Sequence, residues 1–563
     1  MAKVPKPEEL LSGISYKPPE KGWMAVKPDL RPGTYVNAAS AKWLKFLDYP
    51  FPRDWSVADE DWKLPPNWRE IVLEGMEDRL ARFRSLKVFF DICVRCGACA
   101  DKCHFFLGTG DPKNMPVLRA ELMRSVYKRY FTVAGRVLGE VAGARDLDEQ
   151  VLREWFSYLH QCTICRRCSL FCPYGIDMAE MTILGRELLS SVGLNIEWAA
   201  ASVGSCYEKG SHIGATPQAY KDMIDFLAEE NERITGVTTE VTYNRKGAEI
   251  LFVVPSGDYF ADPGSYTMMG YLLLFKYLDL DYTMSTYAAE GGNFGWFISH
   301  EMGKRLNAKI YEEAKRLKVK WIMGGECGHM WRICNQYMPT YYGQPVDFLE
   351  EPVSPITGTR FENAKTHKMV HISEFTADLI HHGKLKLDPR RNAHIKLTFH
   401  DSCNTSRGMG IFEEPRYIIK SVLPEENFVE MPPHTIRERT FCCGSSAALN
   451  ADEFMETRMK GGLPRATAVQ YVAEKYGVNH LGCICALDRA TLPTLVNYWV
   501  PGMEVTGITE LVGNALVFDD EIDRDMDLRD RELVYPIVKG EAGEETEEAG
   551  MEAAEAPEAE EGE

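Results

Sequence analysis

Two runs of four cysteines constrain this chain more than any other feature. The first is Cys93, Cys96, Cys99 and Cys103; the second is Cys162, Cys165, Cys168 and Cys172, followed by Pro173. Both read C-x2-C-x2-C-x3-C, and 58 residues separate them. Four soft sulfur donors at this spacing wrap a cubane [4Fe–4S] cluster, and the lack of an interleaved histidine favours iron–sulfur over structural zinc. The fold must therefore bring two sets of thiols to two points. In two-cluster proteins the fourth cysteine of each run serves the other cluster. One expected set is then Cys93, Cys96, Cys99 and Cys172, and the other Cys162, Cys165, Cys168 and Cys103. Cys103-His104 is not a haem-attachment pair, because C-x2-C-H needs a cysteine at position 100, which is Ala. His104 and His160 read as neighbours that tune or cap.

The rest of the chain sorts by composition. At 563 residues and 45% hydrophobic content it holds several domains with real cores. The net charge of −19 is mostly local: Glu541–Glu563 carries eleven Glu and no Lys or Arg. Residues 521–563 therefore read as an acidic, disordered tail. The acidic balance argues against nucleic acid binding. Half of the cysteines sit in the two runs, and the N-terminus (MAKVPKPEELL) shows no apolar signal core, which points to a reducing, cytoplasmic setting. No stretch approaches about 20 uninterrupted apolar residues, so no transmembrane segment is expected; the run Tyr271–Phe275 is broken at Lys276 and Asp279.

Residues 1–66 hold ten prolines with Trp23, Tyr35, Trp43, Phe46, Tyr49, Phe51 and Trp55 scattered between them. They read as an arm that wraps the body or a partner subunit. From Asn67 the pattern turns helical: Ile71, Val72, Met76, Leu80 and Phe83 recur at helical steps, and Pro116–Phe131 and Asp148–His160 read as further helices. An all-helical ferredoxin domain over 67–190 and a helical linker over 191–244 follow. After about 245, short β-rich runs end in Gly/Cys turns: Ile250–Val254, Val319–Met323 and Ile395–Phe399. Alternating strands and helices predict parallel α/β layers with sites at the carboxyl ends of strands. The segment 371–380 echoes 507–516, which suggests an internal repeat with halves at 245–388 and 389–520.

Those halves carry the other cysteines: Cys206, Cys327, Cys334, Cys403, Cys442, Cys443, Cys483 and Cys485. Cys403 precedes Cys442-Cys443-Gly444 by 38 intervening residues, and 38 more separate Gly444 from Cys483-Ile484-Cys485. A vicinal pair is too cramped to clamp one tetrahedral ion with both sulfurs, but suits adjacent irons or bridging thiolates. Three such turns at one sheet edge would gather five sulfurs. Gly408-Met409-Gly410 is not a dinucleotide fingerprint, since the frame and the third glycine are missing.

This pattern resembles the CCG-domain family of heterodisulfide reductase catalytic subunits, C-xn-CCG-xn-C-x2-C. Two ferredoxin runs followed by paired halves in one chain are similar to the HdrD type of heterodisulfide reductase. CVRCGACADKCHFFLGTGDPKNMP, GGECGHMWR and a single intact CCG motif resemble the DsrK-type branch found in membrane-bound DsrMKJOP complexes. The resemblance covers about residues 67–520. It implies an α + α/β chain, with a helical two-cluster ferredoxin domain followed by two pseudo-repeated α/β CCG-type halves, the first degenerate. It also implies a noncubane [4Fe–4S] cluster on Cys403, Cys442, Cys443, Cys485 and Cys483, in falling order of expectation. The implied activity is a heterodisulfide reductase-like thiol–disulfide oxidoreductase of dissimilatory sulfur metabolism. It would reduce or oxidise a disulfide or trisulfide on a DsrC-like protein and exchange electrons with a membrane cytochrome b partner (DsrM-like), from a peripheral place on the cytoplasmic face. A heterodisulfide reductase for small thiol cofactors and an electron-transfer subunit of a flavin dehydrogenase are the alternatives.

Two departures stand out. The last element is C-x-C, and Gly291-Gly292-Asn293 stands where the first half would carry CCG, leaving Cys327 alone. Cys327 either lies near the second-half site or is a simple thiol; Cys206 and Cys334 read as buried thiols. His400 and Asp401 either shuttle protons or hold the end of a strand.

Overall fold

The computed structural model describes residues 35–36, 64–288, 290, 294–445, 455–518 and 528–529. Most of the N-terminal arm, Gly291-Gly292-Asn293 and the acidic tail expected from the sequence lie outside them. The helical periodicity that begins at Asn67 yields two helices, Trp68–Arg82 and Arg84–Ile92, which bury Ile71, Val72, Met76, Leu80, Leu86 and Phe90. Pro116, preset for a first helical position, opens Pro116–Phe131. Asp148 is the N-cap of Glu149–Gln161, accepting from Val151 N, so that helix starts one residue later than expected. Together with Met178–Ser191 these helices close on a core that includes Met76, Met123, Trp155, Leu159 and Leu188. The two cysteine runs sit in the loops that leave Arg84–Ile92 and Glu149–Gln161.

The remainder is α/β. A two-residue strand β1 (Tyr35–Val36) pairs antiparallel with β2 (Asn195–Ile196). Beyond it come β3 (Ile250–Val253), β4 (Tyr282–Thr283), β5 (Trp321–Gly324) and β6 (Met369–His371), in a parallel sheet of order β4-β3-β5-β6. A second parallel sheet holds β7 (Leu397–His400), β8 (His480–Cys483) and β9 (Glu504–Gly507) in that order. The chain is thus mixed helical and α/β with parallel sheets. β5 and β7 begin two residues later than their apolar runs, at the registers Ile250↔Trp321 and Leu397↔His480. Val319 and Ile395 are buried ahead of the ladder, and burial rather than pairing made them look like strand. No helix among the described residues is long and apolar enough to cross a membrane.

The two sheets meet across a buried ionic knot. Arg489, on the helix Ala486–Trp499 after β8, is 1% exposed. Its Nη1 lies 2.6 Å from Glu326 Oε2, and its Nη2 pairs with Asp258. Glu326 follows β5 and Asp258 follows β3, so one guanidinium ties both turns of the first sheet to the second. Glu326 Oε1 also accepts from Thr509 N (2.7 Å) and Thr509 Oγ1 (2.6 Å), and Glu326 O accepts from Ala486 N at 2.7 Å. Tyr271 donates to Asp258 Oδ2 at 3.0 Å. The helices Gly264–Leu278 and Ile508–Ala515 approach so closely that a Cβ at Gly270 would lie 2.3 Å from Thr509 O. Burial pushes the Asp258 carboxyl up to about 7 even against Arg489.

Removing the guanidinium leaves two carboxylates buried without a counter-charge, a loss of about 3–5 kcal/mol. Arg489→Met is expected to lower the thermal transition by that cost, and Arg489→Met with Asp258→Asn and Glu326→Gln to recover part of it. Calorimetric scans of the three proteins check this; equal transitions in wild type and the single variant would refute the role.

Candidate metal centres

The two cysteine runs share a backbone path. In each, the residues two and four places beyond the first cysteine are left-handed: Arg95 (φ 57°) and Gly97 (φ 78°), then Ile164 (φ 48°) and Arg166 (φ 60°). A β-branched residue such as Ile164 avoids this region unless its surroundings hold it there. The repeated reversals bend each run around a point. Cys99 lies where the charges of Cys93 and Cys172 act on it. Cys103 is likewise within reach of Cys165 and Cys162, and Cys168 of Cys165, Cys162, Cys103 and Cys99. The fourth cysteine of each run therefore sits with members of the other. Cys96 is exposed, whereas Cys99 and Cys103 are buried, and burial pushes the Cys99 thiol up to about 11.

Among the described residues no three His, Cys, Asp or Glu side chains converge on a single-ion position. The residues do fit a larger, anionic group. The donors are all sulfur, and two buried arginines beside Cys103 and Cys162 lack a bonded carboxylate among the described residues. Arg119 Nη1 is 3.9 Å from Cys103 Sγ, Nη2 donates to Asn114 Oδ1 at 2.6 Å, and Nε has no partner. Arg186 donates to the carbonyls of Leu159, His160 and Cys162 (2.6 Å to the last), and its Nη1 has no partner. Buried cations need a counter-charge, and an iron–sulfur cluster with four thiolates supplies one. His160 bonds Phe156 O, and burial lowers it to about 3. His104 bridges Thr163 Oγ1 (2.8 Å) and Gly461 O (2.6 Å) and contacts Cys165. Both are neighbours of the thiols.

The vicinal pair sits against the second run. Cys403 opens a π-helical turn, Cys403–Arg407, after β7. Cys442 lies close enough to Cys165, Cys403 and Cys443 for each to act on its thiol. Gly444 follows because nothing else fits: its φ is +91°, and a Cβ would lie 2.7 Å from Gly462 N and 2.8 Å from Arg458 O. Arg407 clamps the junction, donating to Cys165 O (2.7 Å) and Thr440 O (2.7 Å). Arg167 lies 4.0 Å over the Phe441 ring and donates to Lys102 O and Arg439 O.

The C-x-C element splits. Cys485 is the N-cap of Ala486–Trp499, and Cys327 the N-cap of Gly328–Arg332, with matching extended backbones (φ −147°, ψ 124° and φ −134°, ψ 111°). Their thiols touch, and His329 also reaches Cys485. Cys483 ends β8, fully buried in the same apolar cluster as Cys442 and Cys443 and within reach of the charges of Arg489, Asp488 and Cys485. The structure therefore gathers Cys403, Cys442 and Cys443, and separately pairs Cys485 with Cys327. Asp488 joins the two groups: it accepts from Ser402, lies 3.4 Å from His400 Nε2 and contacts Cys443. Sequence reasoning missed Asp488, since an acid in a first helical turn looks like ordinary capping. Asp401 is bound by both terminal nitrogens of Arg416 (2.8 and 2.7 Å) and by Arg437 N, so it holds the strand end. Cys206 and Cys334 are buried away from these groups.

Comparison with known proteins follows the same division. Residues 90–176 match the model of the 4Fe-4S dicluster domain family. An Hdr-like menaquinol oxidoreductase iron-sulfur subunit of Archaeoglobus profundus is 48% identical over 86% of this chain and 90% of its own. A second protein of that kind, from Archaeoglobus fulgidus, is 49% identical over 88% and 91%. The HdrD-type chain of the dihydromethanophenazine:CoB–CoM heterodisulfide reductase of Methanosarcina acetivorans is 23% identical over 64% and 79%. No solved structure matches. At this identity and coverage, the chain belongs to the family of Hdr-like menaquinol oxidoreductase iron–sulfur subunits.

Proposed function

We propose that this Hdr-like oxidoreductase subunit carries electrons from a membrane partner to a sulfur–sulfur bond held at the CCG site. The carrying observation is the closeness of Cys165 to Cys442, which sets the second cysteine run beside the vicinal pair. The positions of Cys172 and Cys103 support the crossed sets Cys93, Cys96, Cys99, Cys172 and Cys162, Cys165, Cys168, Cys103 for two cubanes. Cys403, Cys442 and Cys443 are the core of the third, noncubane-type site, with Cys485 and Cys483 as its further candidates. Bound at these thiols, iron–sulfur clusters supply one-electron transfer and, at the third site, an iron able to take a substrate sulfur.

The chain's own groups serve the rest of the reaction, R–S–S–R′ + 2 e⁻ + 2 H⁺ giving two thiols. Asp488, whose carboxyl is kept below the usual carboxylate range by His400, Ser402 and Cys443 despite its burial, stays ionised and orients His400 and Ser402 beside Cys443, while the two protons come from solvent. Arg119 and Arg186 offset the charge that accumulates as electrons arrive. The matching order β3-β5-β6 and β7-β8-β9, each ending in a helix whose N3 glutamate accepts from the N-cap N–H (Glu374 from His371 N, Glu510 from Gly507 N), supports two copies of one CCG-type half over 245–388 and 389–520. The relatives' name supports menaquinol as the electron donor; in this reading the electrons arrive through a cytochrome b-type membrane subunit, with this chain peripheral on the cytoplasmic face. The sulfur motifs favour a DsrC-like protein disulfide or trisulfide as the acceptor within a DsrMKJOP-type complex.

Two outcomes are expected. Electron paramagnetic resonance of the oxidised, anaerobically purified protein gains a new signal on adding a dithiol-bearing DsrC-like protein, and Cys442→Ala abolishes it. If the partner changes nothing and only reduced-cubane signals ever appear, the chain is a relay and the enzymatic reading fails. In a redox titration, Arg119→Met lowers the potential of one cubane on the order of 60 mV, the tenfold shift of a one-electron couple, and leaves the other in place. Equal shifts in both would contradict the placement of Arg119.

A further inference from the structure

The residues just beyond Cys403 hold a buried charge that the electron path does not use. The short helix Gly328–Arg332 packs on the turn Cys403–Arg407, and Gly328 and Arg332, one helical turn apart, face it together. A Cβ at Gly328 would lie 2.9 Å from Thr405 Oγ1 and 3.3 Å from Asn404 Cβ. A Cβ at Gly408 would lie 2.6 Å from Arg332 Nη1 and 3.5 Å from Cys403 O. The guanidinium thus lies over Gly408, next to the backbone of the cysteine that opens the CCG site. Arg332 is 4% exposed, yet its Nε and Nη1 find no acceptor, and Asn404 Oδ1 and Thr405 Oγ1 are also buried without partners.

Among the described residues, neither carboxylate whose charge reaches it is free to neutralise it. The charges of Asp177 and Glu180 reach Arg332, but Asp177 pairs with Arg166 at 2.7 Å, and Glu180 is shared by Arg166 (2.7 Å) and His300 (2.9 Å). Burial lowers Arg332 only to about 10, which leaves it charged at neutral pH. A water molecule would satisfy the two nitrogens but not the charge; an anion satisfies both, and a guanidinium fork matches a carboxylate. We propose that Arg332, with Thr405 and Asn404, is a binding site for a carboxylate carried by the sulfur substrate, holding its sulfur beside Cys403. This rests on the reading that the CCG site takes a thiol or disulfide. It assigns the helix Gly328–Arg332 of the first α/β unit a share in choosing the substrate.

The test compares two thiols of equal length, 3-mercaptopropionate and 3-mercapto-1-propanol, bound to the cluster-loaded protein. Titration calorimetry and the ligand-induced rise in Tm are the readouts. Wild type is expected to favour the carboxylate by about tenfold or more, the range of a charge-assisted hydrogen bond. Arg332→Gln removes the preference, and Arg332→Lys retains part of it. Gly408→Ala is the second variant: Gly408 is right-handed (φ −73°, ψ −37°), so alanine suits the backbone while its methyl displaces the guanidinium, and the preference falls. Equal affinity for both thiols in wild type overturns the carboxylate site alone. Failure of both thiols to bind overturns the thiol-site reading with it. A preference that survives Arg332→Gln, while the ligand-free resonance signal shifts, assigns the guanidinium to the cluster instead and overturns the proposal.

Discussion

The guanidinium of Arg489, tied to Asp258 and Glu326, sets the geometry of the α/β region. The helix that carries Arg489 also carries Cys485 at its N-cap and Asp488 in its first turn, and Cys327 follows Glu326 directly. Once Arg489 is docked, the Cys327–Cys485 contact and the Asp488 bridge to Ser402 and Cys443 have little freedom left. A buried ion pair of this kind contributes less to net stability than well-packed apolar groups would. What it contributes is registry, because a sheet-to-sheet slip of one residue would strand three charges. That the same helix presents Cys485 is then a geometric consequence of the knot.

A second constraint is closeness between the helical and α/β parts, which glycine makes possible. The helix His104–Thr109, directly after the first cysteine run, lies against Met455–Tyr476 so tightly that a Cβ at Gly108 would be 1.8 Å from Lys460 O. A Cβ at Gly461 would be 2.6 Å from the Phe105 ring. The same long helix backs Gly444 through Gly462 and Arg458. One surface of one helix therefore fixes both the cysteine pair and the ferredoxin-like part that must reach it. The Cys165–Cys442 contact follows from that shared backing, with Arg407 and Arg167 sealing the seam.

Much of this was legible in the residues because thiol spacing is a direct record of geometry. The two runs, the helices around them, the parallel α/β layers and the gathering of Cys403 with Cys442 and Cys443 all follow from local pattern. The place of Cys327 near the second-half site was one of two readings the sequence left open, and its closeness to Cys485 in particular comes only through tertiary docking, since each is an inconspicuous N-cap. Cys483 reads as a ligand candidate by spacing, and it ends a strand, fully buried in the same apolar cluster as Cys442 and Cys443. Arg332, Arg119 and Asp488 were invisible for a different reason. In a linear sequence a buried charge looks like a surface charge, and only the fold shows which arginines lack a partner.

Those unpartnered arginines carry a consequence for how the chain reaches its folded state. Arg119, Arg186 and Arg465 are each at most 5% exposed, and their polar contacts fall on carbonyls, hydroxyls, an amide and sulfur. Burial lowers Arg186 and Arg465 to about 10, while it pushes the Cys99 thiol up. Protonated thiols and lone guanidiniums in one interior both oppose folding, and the opposition ends when the thiols become anionic ligands. Because metal binding of this kind draws its free energy from the same contacts that order the chain, cluster insertion and folding are linked steps. The arginines then act as charge compensation built in advance around the positions where electrons will reside.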